Sequence, residues 1–169
     1  ATPSTDPVDP GALRVVATDV VEACLALAGR NALNNGVQSC VEFRRGSLFD
    51  AVDPADARGF ELICANPPYV TDEEYDRLDR NVREYEPAGA LRGGNDGLDL
   101  IRPILEQAPD WLAPGGVLLV EIGDALHSPV LGLAKSVPGL EAARIVKDHE
   151  DLHRILEVRA SVGAVTTTA

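Results

Sequence analysis

"ELICANPPYV", residues 61–70, is apolar from Leu62 to Ala65 and then stops on Asn66 and two consecutive prolines. Proline removes a backbone donor and fixes φ, so Pro67-Pro68 cannot continue a central strand. The stretch therefore predicts a strand at 61–66, buried on both faces, ending in a rigid turn that displays Asn66 and Tyr69. Outward from it, strand and helix patterns alternate. Upstream, "RVVATD" (14–19) and "VEFRRG" (41–46) read as strands flanking a helix at 20–36, with Thr18 or Asp19 as N-cap and Asn35-Gly36 as stop. Downstream come a polar helix or ordered loop at 71–82 and a helical period at 97–112 interrupted by Pro103 and Pro109. Pro114-Gly115-Gly116 turns into a strand at 117–123, followed by a helix around 125–136 and strands near 142–147 and 154–160.

This alternation implies an α/β fold with a mainly parallel sheet and right-handed crossovers. The last two strands are joined only by "DHEDLH" (148–153), too short for a parallel crossover, so they form an antiparallel hairpin. No repeat and no second domain is visible. The expected organisation is a loop or linker at 1–13, one α/β domain at 14–160 and a flexible tail at 161–169.

The chain has 169 residues, 45% hydrophobic and 25% charged, enough for one domain with a substantial core. Its net charge of −12 argues against a large nucleic-acid footprint, leaving Arg44–Arg45 as a local basic patch. A protein, peptide or small-molecule substrate fits better. No apolar run approaches a membrane span, and no leader resembles a signal peptide. Cys24, Cys40 and Cys64 read as reduced, mostly buried thiols of a cytoplasmic protein, expected to be a monomer. His127, His149 and His153 lie near no cysteine in sequence, so no zinc site is expected.

In open α/β sheets ligands collect at the carboxyl ends of strands, and three strands end on suggestive residues: Asp19, Asn66 and Glu121. Asp19 suits either a helix cap or an acceptor for ribose hydroxyls. Glu121 reads first as a solvated strand end or a structural hydrogen-bond acceptor. The Asn-Pro-Pro-Tyr turn is more informative, because a bare turn needs neither the amide nor the aromatic. The Asn66 side-chain carbonyl and a proline carbonyl can together accept both hydrogens of a planar –NH2 group. Tyr69 offers a flat face on which that group can stack. Such a site suits methylation of an amide or exocyclic nitrogen, where alignment rather than a strong base does the catalysis.

"NPPY" after an apolar strand resembles the signature of S-adenosylmethionine-dependent amino-methyltransferases acting on adenine, guanine or glutamine amides. The text that follows, "VREYEPAGALRGGNDGLDLIRPILEQAPDWLAPGGVLLVEIG", narrows this. With "YEP" at 85–87, "ALRGGNDGLD" at 90–99, "EIG" at 121–123 and "KDHEDLHRILEVR" near the end, it resembles the peptide chain release factor glutamine N5-methyltransferases from about Arg14 to Arg159. That resemblance implies a Rossmann-like class I methyltransferase sheet with S-adenosyl-L-methionine as cofactor. Asn66, Pro67 and Tyr69 would form the catalytic amide pocket, with Pro68 and Glu86 shaping the substrate side. Asp19 would hold the cofactor ribose, and Asn66 would also border the cofactor. The implied substrate is the glutamine of the Gly-Gly-Gln loop of a release factor.

Two departures stand against the family pattern. The Gly-rich cofactor loop, its strand and a separate N-terminal helical domain are expected ahead of Arg14, where residues 1–13 contain only Gly11. The chain is therefore expected to be a partial catalytic domain lacking the first central strand, and to bind cofactor poorly if isolated. The family's acid after the position of Gly46 is replaced by Ser47, which either accepts a hydrogen bond from the cofactor adenine or caps a turn. Two further readings stay open: a nucleic-acid base N-methyltransferase, and a non-catalytic module that binds an amide without modifying it.

Overall fold

A computed structural model describes residues 13–163 of the chain; 1–12 and 164–169, which hold most of the expected linker and tail, lie outside the described residues. The chain divides into two compact units, one up to Pro54 and one from Ala55 onward, inside what the sequence reads as one domain.

The first unit is a β–α–β element. Strand β1 (Val15–Asp19) leads into helix α1 (Glu22–Asn34), and strand β2 (Val41–Arg45) returns parallel to β1, pairing Val15 with Val41 and Asp19 with Arg45. The helix begins two residues later than expected, with Val21 at the N-cap position. Neither Thr18 nor Asp19 is the cap itself. Asp19 instead folds forward, and its carboxylate accepts the Val21 N–H at 2.7 Å. The helix ends at the expected Asn35-Gly36, where Asn35 N–H bonds Asn31 O and Val37 N–H bonds Ala32 O.

The second unit is a four-stranded sheet in the order β3-β4-β6-β5, built from β3 (Phe60–Ala65), β4 (Leu112–Glu121), β5 (Leu140–Lys147) and β6 (His153–Ala160). β3 and β4 run parallel. β6 is antiparallel to both β4 and β5, so the expected C-terminal hairpin is present and lies beside β4 through its second strand. Between β3 and β4 come the short helices α2 (Asp72–Arg77), α3 (Arg80–Tyr85) and α4 (Ala88–Leu91), then the longer α5 (Ile101–Trp111); α6 (His127–Ser136) joins β4 to β5.

The core lies on one face of this sheet. Leu118 and Val120 of β4 stand opposite Val158 and Leu156 of β6, and all four are fully buried. Helix α5 covers β4 with an apolar stripe of Ile101, Ile104, Leu105 and Ala108, the i, i+3, i+4, i+7 spacing of one helical face. Helix α6 packs on β5 and β6 and adds Val130 and Ala134. Each large apolar side chain so buried contributes about 1.5–3 kcal/mol.

Several local expectations are corrected. Pro103 and Pro109 do not interrupt α5. Pro103 falls in the first turn, where no backbone N–H has an intrahelical partner, and Pro109 near the end removes a single bond. Pro114-Gly115-Gly116 lies within β4 rather than before it. There the register slips from Phe60↔Leu112 to Leu62↔Val117, so the turn residues become a bulge. The polar segment at 71–82 is two helices, broken where Leu78 leaves helical geometry and Asp79 starts the next helix by accepting the Asn81 N–H. β3 is not buried on both faces: Leu62 is 55% exposed, and Cys64 is exposed with it. β4 is its only ladder partner among the described residues. Cys24 is exposed too, so only Cys40 of the three thiols is buried. Among the described residues, no helix is long and apolar enough to cross a membrane.

Candidate active site

Asn66 follows directly on β3 and is exposed, on the strand face that also displays Leu62 and Cys64. Its side-chain amide makes no hydrogen bond among the described residues. The chain then turns inward: Pro67 is buried, and Pro68 and Tyr69 are half-buried. The β-strand thus delivers Asn66 outward, and the double proline fixes the step to Tyr69.

What holds this turn is the loop Leu91–Asp99. Val70 N–H bonds Leu91 O at 2.8 Å, and Gly93 N–H bonds Val70 O at 2.8 Å, a short parallel bridge across the end of the motif. Asp72 N–H bonds Gly94 O, and Asp99 N–H closes the loop on Gly93 O. Two glycines make the approach possible. A Cβ at Gly93 would stand 2.7 Å from Tyr69 Cα and 2.9 Å from Pro68 O, and one at Gly97 (φ +75°) would stand 2.6 Å from Tyr69 O. The glycine spacing in "ALRGGNDGLD" is thereby explained by backbone touching backbone.

The Tyr69 hydroxyl points at the end of β4 and donates to Glu121 Oε1 at 3.3 Å. Arg154 of β6 reaches the same hydroxyl and is itself held by Asp148, whose Oδ2 accepts from Arg154 Nε at 3.1 Å. Burial pushes the Tyr69 phenol above its ordinary value, and the Glu121 charge pushes it further; Arg154 opposes both. Tyr69 is therefore neutral at physiological pH. Tyr69 lines a cavity of about 390 Å³ together with Val70, Glu74, Leu78, Gly123 and Leu126. Its α2 wall is fixed by a capping box, in which Thr71 Oγ1 accepts the Glu74 N–H and the Glu74 carboxylate accepts the Thr71 N–H.

The remaining expected residues fall elsewhere. Glu86 is exposed at the end of α3, its N–H bonded to Val82 O, and does not line the cavity beside Tyr69. Asp19 and Ser47 lie together in the first unit at the adjacent carboxyl ends of β1 and β2, where Gly46 N–H bonds Asp19 O at 3.1 Å. Ser47 starts a tight turn, its carbonyl accepting the Asp50 N–H at 2.9 Å. Of the basic pair, Arg44 grips Glu42 with two bonds of 2.8 Å, while Arg45 is exposed and its Nε donates to Val20 O. Glu121 is indeed a structural acceptor, with a donor the sequence does not disclose. Asp148 and Arg154 belong to the "KDHEDLHRILEVR" stretch that carries the family resemblance, which assigned them no role.

The fold is that of the class I methyltransferases. The chain superposes with a TM-score of 0.59 and 21% identity on a methyltransferase from Pyrococcus furiosus, covering 89% of this chain and 64% of that one. It superposes with a TM-score of 0.58 and 14% identity on the [4+2]-cyclase SpnF, covering 90% and 68%. The second match shows that the architecture alone does not fix the reaction. In sequence the chain is homologous to the release factor glutamine methyltransferases over most of its length. It is 43% identical to that of Geobacter sulfurreducens over 120 residues, 71% of this chain and 40% of the relative. It is 40% identical to that of Cereibacter sphaeroides over 144 residues, 85% of this chain and 50% of the relative. A ribosomal protein uL3 glutamine methyltransferase from Bordetella pertussis is 44% identical over 110 residues, 65% of this chain and 36% of that protein. The chain thus spans half or less of the length of these relatives. No protein-family model matches it.

Proposed function

We propose that this chain carries the amide site of an S-adenosylmethionine-dependent N-methyltransferase that methylates a glutamine side chain in a protein, the Gly-Gly-Gln loop of a peptide chain release factor. The observation that supports this most is the Asn66–Tyr69 turn, with an outward amide, a buried proline and an anchored aromatic. In this reading Asn66 Oδ1 and the Pro67 carbonyl accept the two amide hydrogens of the substrate, and Tyr69 stacks on the amide plane. Pro68 keeps the two elements at fixed spacing, while Glu86 stands outside the pocket. Holding both N–H bonds turns the nitrogen lone pair toward the donor, and the proton released on methylation leaves to solvent or to an acceptor already hydrogen-bonded to it.

The donor set fits the cofactor. Asp19 spends one carboxylate oxygen on the Val21 N–H, which leaves the other for ribose hydroxyls, and Ser47 offers an exposed hydroxyl beside it for the adenine amine. The cofactor supplies the electrophilic methyl group; everything else is positioning by the chain. A cytoplasmic, monomeric enzyme meeting its substrate during translation agrees with this reading. The relatedness to a uL3 methyltransferase supports a second reading with the same chemistry on a ribosomal protein glutamine.

The test is a chimera in which residues 14–160 replace the matching segment of the Geobacter sulfurreducens relative. It is incubated with labelled S-adenosylmethionine and, separately, release factor, protein uL3 and ribosomal RNA. Methyl on a release-factor glutamine supports the proposal, and label on uL3 favours the second reading. Label confined to RNA overturns both.

A further inference from the structure

We propose that Glu121 and Gly123, the two ends of "EIG", are positioning residues that set the plane of the Tyr69 ring, with Arg154 and Asp148 as their support. What the ring is positioned for rests on the amide-methylation reading; that it is positioned does not. Glu121 takes the hydroxyl at 3.3 Å, fixing the far end of the ring. Gly123 lies along its edge: a Cβ there would stand 3.2 Å from Tyr69 Cδ2 and 3.5 Å from Cε2, so any side chain would press the ring away from β4. Ile122 between them is fully buried and ties both residues to the core, its N–H bonded to Arg154 O at 2.9 Å.

The support comes from the hairpin. Arg154 sits opposite the Glu121 end of β4, and its guanidinium faces both Glu121 and the Tyr69 hydroxyl. Asp148 holds Arg154 there, while its other oxygen accepts the N–H groups of Glu150 and Leu152, which form the β5–β6 turn. An aromatic that stacks on an amide must have its plane defined to within a few tens of degrees; a half-buried ring anchored only through Cβ would rotate about two torsions. The hydroxyl lies on the axis of the second torsion, so its bond to Glu121 fixes the first, and the close approach of the ring edge to Gly123 limits the second.

The test uses the full chain. Its tyrosines, Tyr69, Tyr75 and Tyr85, are titrated by ultraviolet absorbance at alkaline pH, with Tyr69→Phe assigning the late component. Glu121→Gln keeps an acceptor but removes the charge, and should move the Tyr69 titration down toward the ordinary phenol value. Gly123→Ala should change the Tyr69 ring signals in nuclear magnetic resonance while leaving those of Tyr85 in place. Binding of a glutamine-containing peptide in the presence of S-adenosylmethionine is measured alongside, in the chimera that carries residues 14–160 within the Geobacter sulfurreducens relative. If the peptide binds, Glu121→Ala should weaken it by up to roughly tenfold, the worth of one good hydrogen bond, and Glu121→Gln should restore most of it. A Tyr69 titration unmoved in folded Glu121→Gln overturns the positioning role whatever the peptide does. A moved titration with no peptide bound supports the positioning and counts against the amide reading.

Discussion

At the residue scale, Asn66 and Tyr69 divide the work in the proposed reaction: one would accept hydrogen bonds from an exposed position, the other would offer a flat face from a half-buried one. Replacing Asn66 by Ala in the chimera should lower kcat by about 10²–10³-fold, the cost of losing one preorganised group that bonds the reacting atoms, with a smaller effect on KM. Steady-state kinetics with a fixed release-factor concentration series checks this. Gly93 is as constrained as any catalytic residue, for a different reason. A Cβ 2.7 Å from Tyr69 Cα cannot be accommodated by rotating a side chain, so Gly93→Ala should destabilise the second unit by about 1–3 kcal/mol. Urea unfolding followed by Trp111 fluorescence measures it. Asn66, the prolines and Tyr69 were legible because they are contiguous and chemically unusual. That Gly93, Glu121 and Arg154 fix them was not, although Glu121 could be read as an acceptor, because all three reach the turn through tertiary contact, and a one-dimensional pattern does not show which glycine meets which backbone.

At the scale of elements, the hairpin is the support of the site, and Asp148 is its fastener. Burial pushes the Asp148 carboxyl up, but Arg154 and the N–H groups of Leu152 and Glu150 outweigh it and hold the carboxyl below its ordinary value. A carboxylate depressed in the folded state stabilises it above the unfolded pKa, about 3.9, and loses that contribution as pH falls through the folded value. Asp148→Asn should therefore flatten the acid limb of the stability profile below about pH 4, as thermal unfolding across a pH series would show. In α5, Leu105 is fully buried in the stripe against β4, so Leu105→Ala should cost about 2–5 kcal/mol in the same measurement. The periodicity of α5, the antiparallel hairpin and the β1–α1–β2 crossover could all be read from sequence, since each has a strong local signature. The prolines of α5 were read as interruptions, and the proline and glycines of β4 as lying ahead of the strand. There the local penalty is real, but it fell where a helix or strand tolerates it: a first turn, a last turn and a bulge.

At the scale of the molecule, two facts bear on function together: a net charge of −12, and a basic pair whose Arg44 is neutralised by Glu42. Both favour a protein substrate over a nucleic-acid backbone, and transfer of methyl to release factor should depend far less on salt than binding to RNA would. Mixed α/β architecture was legible in the alternation of patterns. The division into two compact units rests on contacts between residues distant in sequence, which no local pattern displays. In the proposed reaction the Asn66–Tyr69 turn presents a glutamine amide to a methyl donor. The most direct measurement is mass spectrometry of release factor after incubation with the chimera, with and without Asn66→Ala. One added methyl on the Gly-Gly-Gln glutamine, lost in the variant, is the predicted result; an unmodified glutamine with methyl found elsewhere, or methylation undiminished in Asn66→Ala, would contradict it.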